Sequence, residues 1–514
     1  MSASDRERDV TGGRISVDPE TKNPPEVSPP TLGDMDAEAF RRHGQRTLDW
    51  IAEYLRDSER YPVMARVAPG DVRAALPATP PERGETFEAI FDDFKKIITP
   101  GLTHWNHPGF FAYFATSSSA PGIIGELLAA ALNQNAMLWR TSPAATELEA
   151  LTLDWLRQLV GLPGGFEGVI YDTASMSTLH ALAAAREAVI PNVRNQGLVG
   201  RSDLAGIRVY CSEQAHSSLD KAMILLGLGQ SALRKIPVDT DLRMRPEVLA
   251  EAIAEDRAAG YVPMAVVATV GTTISTSVDP VPAIARICTA EQIWLHVDAA
   301  YAGVAAMVPS CAHILDGCDG ADSVVMNPHK WLFTPIDLSV LFSRRMDMVK
   351  AAFSLGSATP EYLRTAEADQ VLNLMDTGIQ LGRRFRALKL WMVLRHFGAE
   401  GMRQRLAEHM RLARLFAEWV DAHDDFERLA PVPFSVVCFR AKPAGMGTDE
   451  AELERFNIKR LDALNASGEV FLSQGKLEGR FVIRLAIGHI RTAERHVSRA
   501  WELVRQHTQE LISH

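Results

Sequence analysis

The chain is poor in the features that mark secreted, membrane and nucleic-acid-binding proteins. Its five cysteines, Cys211, Cys288, Cys311, Cys318 and Cys438, are odd in number and form no CxxC pair. Most sit among apolar neighbours, as small buried residues do, so a reducing compartment is expected and no disulfide framework is. No apolar run reaches the roughly 18 residues of a membrane span. The N-terminal stretch is polar and proline-rich and lacks the apolar core of a signal peptide. A cytoplasmic protein that touches no membrane is the expectation. The 54 Lys+Arg are outnumbered by 64 Asp+Glu, for a net charge of −10, and no basic block is large enough to serve as a nucleic-acid or anionic-lipid footprint. With no HExxH present and His104 and His107 read as an incidental pair, no metal is expected. A small-molecule partner fits what remains.

What is there supports a large folded core. Hydrophobic residues make up 46% and charged residues 23% of 514, near the globular norm, and the length suits several domains or one core with smaller lobes. Residues 1–33 lack periodicity and read as a disordered tail. Residues 34–120 read as an N-terminal helical arm. There MDAEAFRRHGQRTLDWIAEYL sets Phe40, Leu48, Ile51 and Leu55 on one stripe, and PATPPERG breaks the chain before ETFEAIFDDFKKII. Residues 121–395 alternate helical patterns with the runs GVIYDTAS, IRVYCSE, MAVVATVGTT, IWLHVDAAYAG and SVVMNPHKW. Near-continuous apolar runs of this kind are buried on both faces, which predicts a mostly parallel α/β sheet. Residues 396–514 read as helix, strand, helix, strand, helix, a smaller α+β domain.

In open parallel sheets ligands collect beyond the carboxyl ends of the strands, so the polar residues closing each run are the candidates. Lys330 follows Asn327-Pro328 at a turn between His329 and Trp331. Partial desolvation there favours a neutral, nucleophilic amine able to form a Schiff base; the alternative is a lysine that simply reaches solvent. Asp298 closes IWLHV, as a structural acid or as the carboxylate that keeps a pyridinium nitrogen protonated. Thr173-Ala174-Ser175 precede a helical pattern and either cap it or hold a phosphate. His216 follows IRVYC, as a hydrogen-bonded loop histidine or one stacked on a planar ring.

Together MDAEAFRRHGQRTLDWIAEYL, HPGFFAYFATSSS, SPAATELEALTLDWL, SEQAHSS, VGTT, HVDAAYAG, NPHKWLF and LGRRFRALKLW resemble the pyridoxal-phosphate group II decarboxylases, and within them the aromatic L-amino-acid decarboxylases. The resemblance runs in order from about Asp34 to the C-terminal helix. It implies the fold type I architecture of PLP-dependent transferases, pyridoxal 5'-phosphate as cofactor, and a homodimer with shared active sites. Lys330 would carry the cofactor, Asp298 would pair with its ring nitrogen, and His216 and Ala300 would sandwich the ring. Thr173, Ala174 and Ser175 would line the phosphate or ring site, with Asn327, His329 and Thr273 nearby. Trp105, Tyr113, Phe114 and Thr116 would shape the substrate pocket, with residues around Met137 coming from the second subunit. Gly382 matches the small residue that leaves room for an indole ring. Tyr362, in the lid-like SLGSATPEYLRTAEADQ, would donate the proton to the α-carbon.

Aldehyde synthases in this family replace that tyrosine with phenylalanine or the stacking histidine with asparagine. Tyr362 and His216 therefore favour an amine product. Met176, Pro335, Asn135 and Met137 depart from the usual pattern, at the substrate pocket more than at the cofactor. The expected activity is PLP-dependent decarboxylation of an aromatic L-amino acid. The rivals are an aldehyde synthase on the same scaffold, a decarboxylase of a non-aromatic amino acid, and a non-catalytic scaffold, which the presence of Lys330, Asp298 and His216 argues against.

Overall fold

The computed structural model describes residues 33–367 and 370–513. Almost all of the stretch read as a disordered tail, residues 1–32, lies outside them. The chain divides into two units, one ending at Arg56 and one running from Asp57 to His514. The first contains the helix Ala37–Arg56. Asp36 starts it, its carboxylate accepting the Glu38 and Ala39 amides at 3.0 and 2.9 Å. Phe40 and Leu48 of the expected stripe stay exposed.

The second unit is built on two sheets. Its strands are β1 (Phe110–Phe111), β2 (Glu167–Tyr171), β3 (Ile207–Ser212), β4 (Leu233–Ile236), β5 (Val262–Thr269), β6 (Trp294–Asp298), β7 (Ser323–Met326), β8 (Ser339–Ser343), β9 (Phe426–Arg428), β10 (Val436–Ala441), β11 (Phe471–Leu477) and β12 (Arg480–Ala486). The large sheet has the order β2-β8-β7-β6-β5-β3-β4. Only β8 runs against the others, pairing antiparallel with β2 and β7. Strands β5 to β8 are buried almost throughout, which is why they read as continuous apolar runs. Side chains alternate between two cores: Val266 and Ala268 of β5 pack with Leu249, Ile253 and Ile284 on one face. Ala265 and Val267 pack with Ala181–Ala185 and Met223 on the other. Each large aliphatic residue buried this way contributes about 1.5–3 kcal/mol.

The smaller sheet, β1-β11-β12-β10-β9, packs on the helices Glu450–Ala466 and Glu494–Ile512. Strand β1, from the stretch read as helical arm, joins this sheet in parallel register, Phe110 opposite Phe471. The stretch after LGRRFR forms one helical element, Ala387–Asp421, broken at Gly398, whose φ of 62° and ψ of 171° no helix accommodates. All five cysteines are buried free thiols. Among the described residues no helix is long and apolar enough to cross a membrane.

Candidate active site

The carboxyl ends of the central strands converge. Strand β6 ends in Asp298, and β7 runs into Asn327 and the single turn Pro328–Trp331 that carries Lys330. Strand β2 leads to Thr173 and the helix Ala174–Val189, and β3 leads to the turn holding His216. Beyond β5 the chain turns at Gly271 and returns through Thr273. These segments enclose a cavity of about 190 Å³, lined by Lys330, Asp298, His216, Thr173, Ala174, Ser175, Thr273, Ala300, Asn327 and His329. Phe114 lines it too, together with Thr269, Gly271 and Tyr301, which the sequence reading did not single out.

Desolvation in the cavity lowers the Lys330 amine from the ordinary lysine value, while the Asp298 charge pulls it back up. Asp298 is buried, and its Oδ1 accepts the Ala300 amide at 3.1 Å. His216 Nδ1 accepts the Ser218 amide at 3.1 Å and lies 2.9 Å from its hydroxyl, so the neutral ring carries its proton on Nε2. Burial lowers the His216 pKa, Asp298 opposes that, and Lys330 reinforces it. His329 Nδ1 accepts the Leu338 amide at 2.9 Å, and burial pushes its pKa down to about 3. At the helix start, Met176 and Ser177 bond back to Thr173, leaving the first two amides, of Ala174 and Ser175, ahead of the helical ladder.

Beneath this layer His296, two residues before Asp298 on β6, sits 2.9 Å from Ser323 Oγ and 3.3 Å from Thr178 Oγ1. It ties β6 to β7 and to the helix at the cavity floor. Phe114 stacks on Tyr301 at 3.8 Å, Tyr301 on Trp331 at 4.9 Å, and Trp331 Nε1 donates to His409 Nδ1 at 3.0 Å. This aromatic ladder fixes one wall, and Lys330 Nζ lies 5.2 Å from the Phe114 ring centroid.

Residues 69–442 match the pyridoxal-dependent decarboxylase conserved domain. The chain belongs to that family. Among its relatives it is 42% identical to tyrosine decarboxylase 2 of Arabidopsis thaliana, over 92% of this chain and 87% of the relative. It is 40% identical to phenylacetaldehyde synthase of the same plant, over 94% and 98%. Of solved structures, Oryza sativa TDC with PLP and tryptamine superposes with a TM-score of 0.89 at 37% identity, covering 94% of this chain and all of the other. The chain is thus an amino-acid decarboxylase that uses pyridoxal phosphate, on the fold of those enzymes.

The cavity of this decarboxylase fits that cofactor. Thr269 Oγ1 and Asn327 Oδ1 are buried at its wall without a hydrogen-bond partner, as polar atoms awaiting a ligand are. An amine, a carboxylate, a histidine and free helix amides together suit an aldehyde, a ring nitrogen, a ring face and a phosphate. No arginine lines the cavity among the described residues, and none of them form a cluster able to hold a metal ion.

Of the expected substrate residues, the decarboxylase places only Phe114 in the cavity. Trp105 and Tyr113 stack on each other at 5.8 Å and are exposed, while Thr116 is half-buried away from the lining. Met137 packs with Leu138, Leu363 and Met375. Gly382 lies beside Asn135, and the Arg383 amide donates to Asn135 Oδ1 at 2.9 Å. Tyr362 is 76% exposed on the turn Glu361–Leu363. Met137, Gly382 and the Tyr362 turn therefore form a second grouping outside the cavity.

Proposed function

We propose that the chain decarboxylates aromatic L-amino acids to the corresponding amines, as a cytoplasmic homodimer. The observation that carries this reading is the meeting of Lys330, Asp298 and His216 in one cavity beside the Phe114 face. Bound pyridoxal phosphate supplies an aldehyde that condenses with amines and a ring that accepts the electron pair released with carbon dioxide. Lys330 holds the cofactor through Nζ, its amine kept nucleophilic by desolvation. Asp298 keeps the proton on the ring nitrogen in place. His216 and Ala300 would flank the ring, the Ala174 and Ser175 amides with Thr173 would hold the phosphate, and Thr273, Asn327 and His329 would complete the surround. Phe114 and Tyr301 exclude water, so the substrate carboxylate is poorly solvated where it must leave as neutral gas. Tyr362 delivers the proton to the substrate α-carbon.

Met137 and the Tyr362 turn, packed together through Leu363, lie outside the cavity within one chain, which supports their arrival across a dimer, whereas Trp105 and Tyr113 flank Phe114 on this chain's own wall. The helix Ala120–Leu132 exposes Ile124, Leu127, Leu128 and Leu132, an apolar face of the kind such an interface covers. Similarity to a phenylacetaldehyde synthase gives a second reading, an aldehyde product with peroxide. Tyr362 and His216 argue for the amine. The test offers purified holoenzyme tryptophan, tyrosine, phenylalanine, DOPA and glutamate, and measures carbon dioxide, amine and peroxide. Amine equal to carbon dioxide with the aromatic substrates is expected. Peroxide and aldehyde in place of amine, or glutamate as the best substrate, would overturn the proposal.

A further inference from the structure

One buried arginine from the smaller sheet joins two walls of the cavity. Arg484 of β12 is 3% exposed. Its Nε donates to the carbonyl of Ile274, the residue after Thr273, at 2.9 Å. Its Nη1 donates to the carbonyl of Tyr113, the residue before Phe114, at 3.2 Å, and to Ser473 Oγ at 3.0 Å. The same hydroxyl accepts the Tyr113 amide at 3.1 Å. The guanidinium carbon lies 5.2 Å from the Phe114 centroid, within range of a cation–π contact. Ile274 is gripped further: its carbonyl accepts Cys438 Sγ at 3.1 Å, and its side chain fills the space over Gly475, where a Cβ would come within 2.8 Å.

The two segments need holding. Tyr113 has φ of 52° and Thr276 has φ of 58°, conformations that side chains of these types rarely adopt. Arg484 makes no ion pair among the described residues and its Nη2 has no hydrogen-bond partner, so burying this cation is costly. Burial accordingly lowers its pKa. An apolar side chain could fill the same volume. What arginine alone supplies is a planar set of donors that reaches two carbonyls and a hydroxyl on three separate segments.

We infer that Arg484 is a positioning residue for the active site, setting the spacing between the Phe114 wall and the Thr273 wall by tying down the carbonyl beside each. The inference rests on the proposal that Phe114 faces the substrate and Thr273 the cofactor. It makes the smaller sheet part of the machinery that fixes substrate affinity.

The test compares holoenzyme variants Arg484→Lys, which keeps the charge but loses the fork, and Ser473→Ala, which removes only the bridging hydroxyl. Melting temperature, visible circular dichroism of the bound cofactor, and KM and kcat per bound cofactor are measured. In Arg484→Lys the cofactor band is expected to change amplitude, and KM for an aromatic amino acid to rise about 10-fold with kcat nearly kept. Ser473→Ala should raise KM by about 3-fold. A merely structural arginine would lower the melting temperature and the loaded fraction while leaving KM and the band per bound cofactor untouched, and that result overturns the inference. If Arg484→Lys does not fold, Ser473→Ala decides by the same criteria. Phe114→Leu is measured alongside. An unchanged KM there removes Phe114 from the substrate wall, and the cofactor band of Arg484→Lys still decides whether the arginine positions the Thr273 side.

Discussion

Lowering the pH from 8 to 5.5 is expected to destabilise the fold through histidines that are buried neutral. His107, His180, His296, His329 and His409 are each no more than 5% exposed. Burial pushes their pKa values down to about 4, 3, 4, 3 and 4 respectively. The unfolded chain takes up protons on them near the ordinary value of about 6.5. Between that value and about 4 the unfolded state therefore binds more protons than the native one, and stability falls as the pH falls. At pH 5.5 each of the five costs between about 1 and 2 kcal/mol, roughly 7 kcal/mol together. The fully buried His489 moves in the same direction. Asp279 opposes them: burial raises its pKa to about 6, so it gains its proton in the native state first and offsets about 1 kcal/mol. The remainder, about 6 kcal/mol, is a large part of a typical folding free energy. With a melting entropy of about 2 cal/mol/K per residue it lowers the melting temperature by roughly 6 °C. Melting followed by far-ultraviolet circular dichroism at pH 8, 6.5 and 5.5 measures this directly. His180→Leu isolates one contribution, because neither ring nitrogen of His180 has a hydrogen-bond partner to lose. It should remove about one-fifth of the pH dependence. A melting temperature equal or higher at pH 5.5 than at pH 8 would refute the reasoning.

Asp298→Asn should lower kcat by at least about 100-fold, since a neutral amide no longer holds the ring-nitrogen proton. Carbon dioxide release per bound cofactor measures it, and a kcat within threefold of wild type contradicts the assigned role. Gly271→Ala should destabilise the protein by about 2–4 kcal/mol. Gly271 has φ of 93°, and an added Cβ would stand 2.6 Å from the Ala302 Cβ. Urea unfolding that shows a loss below about 1 kcal/mol would mean the turn yields more easily than its geometry indicates.

Strands buried on both faces announce themselves as apolar runs, so β2, β3, β5, β6 and β7 were legible in the sequence, and with them the residues that close them. That is why Lys330, Asp298, His216 and Thr173 could be named before their meeting was visible. Strand β8, in LSVLFS, was missed because it pairs antiparallel with β7 and follows it without a crossover helix, so it breaks the alternation of apolar runs with helical patterns that revealed the parallel strands. Strand β11 was missed because FLSQGKL carries a glycine and polar residues on its solvent side, and β1 because two residues show no period. Tyr301 and Gly271 lay inside quoted motifs, yet a stacking partner and a close approach to Ala302 are long-range facts. Arg484 and His296 read locally as ordinary strand residues. Their bonds to Tyr113, Ile274, Ser323 and Thr178 join segments far apart in sequence, and only the folded chain brings those segments together.

The assignment of Lys330 as the amine that binds the cofactor is tested most directly by borohydride reduction of the loaded protein followed by peptide mapping. The pyridoxyl label is expected on Lys330, within the peptide containing Asn327-Pro328-His329-Lys330-Trp331, and absent from Lys330→Ala. A label on any other lysine, or loading with no reducible linkage, would contradict the account.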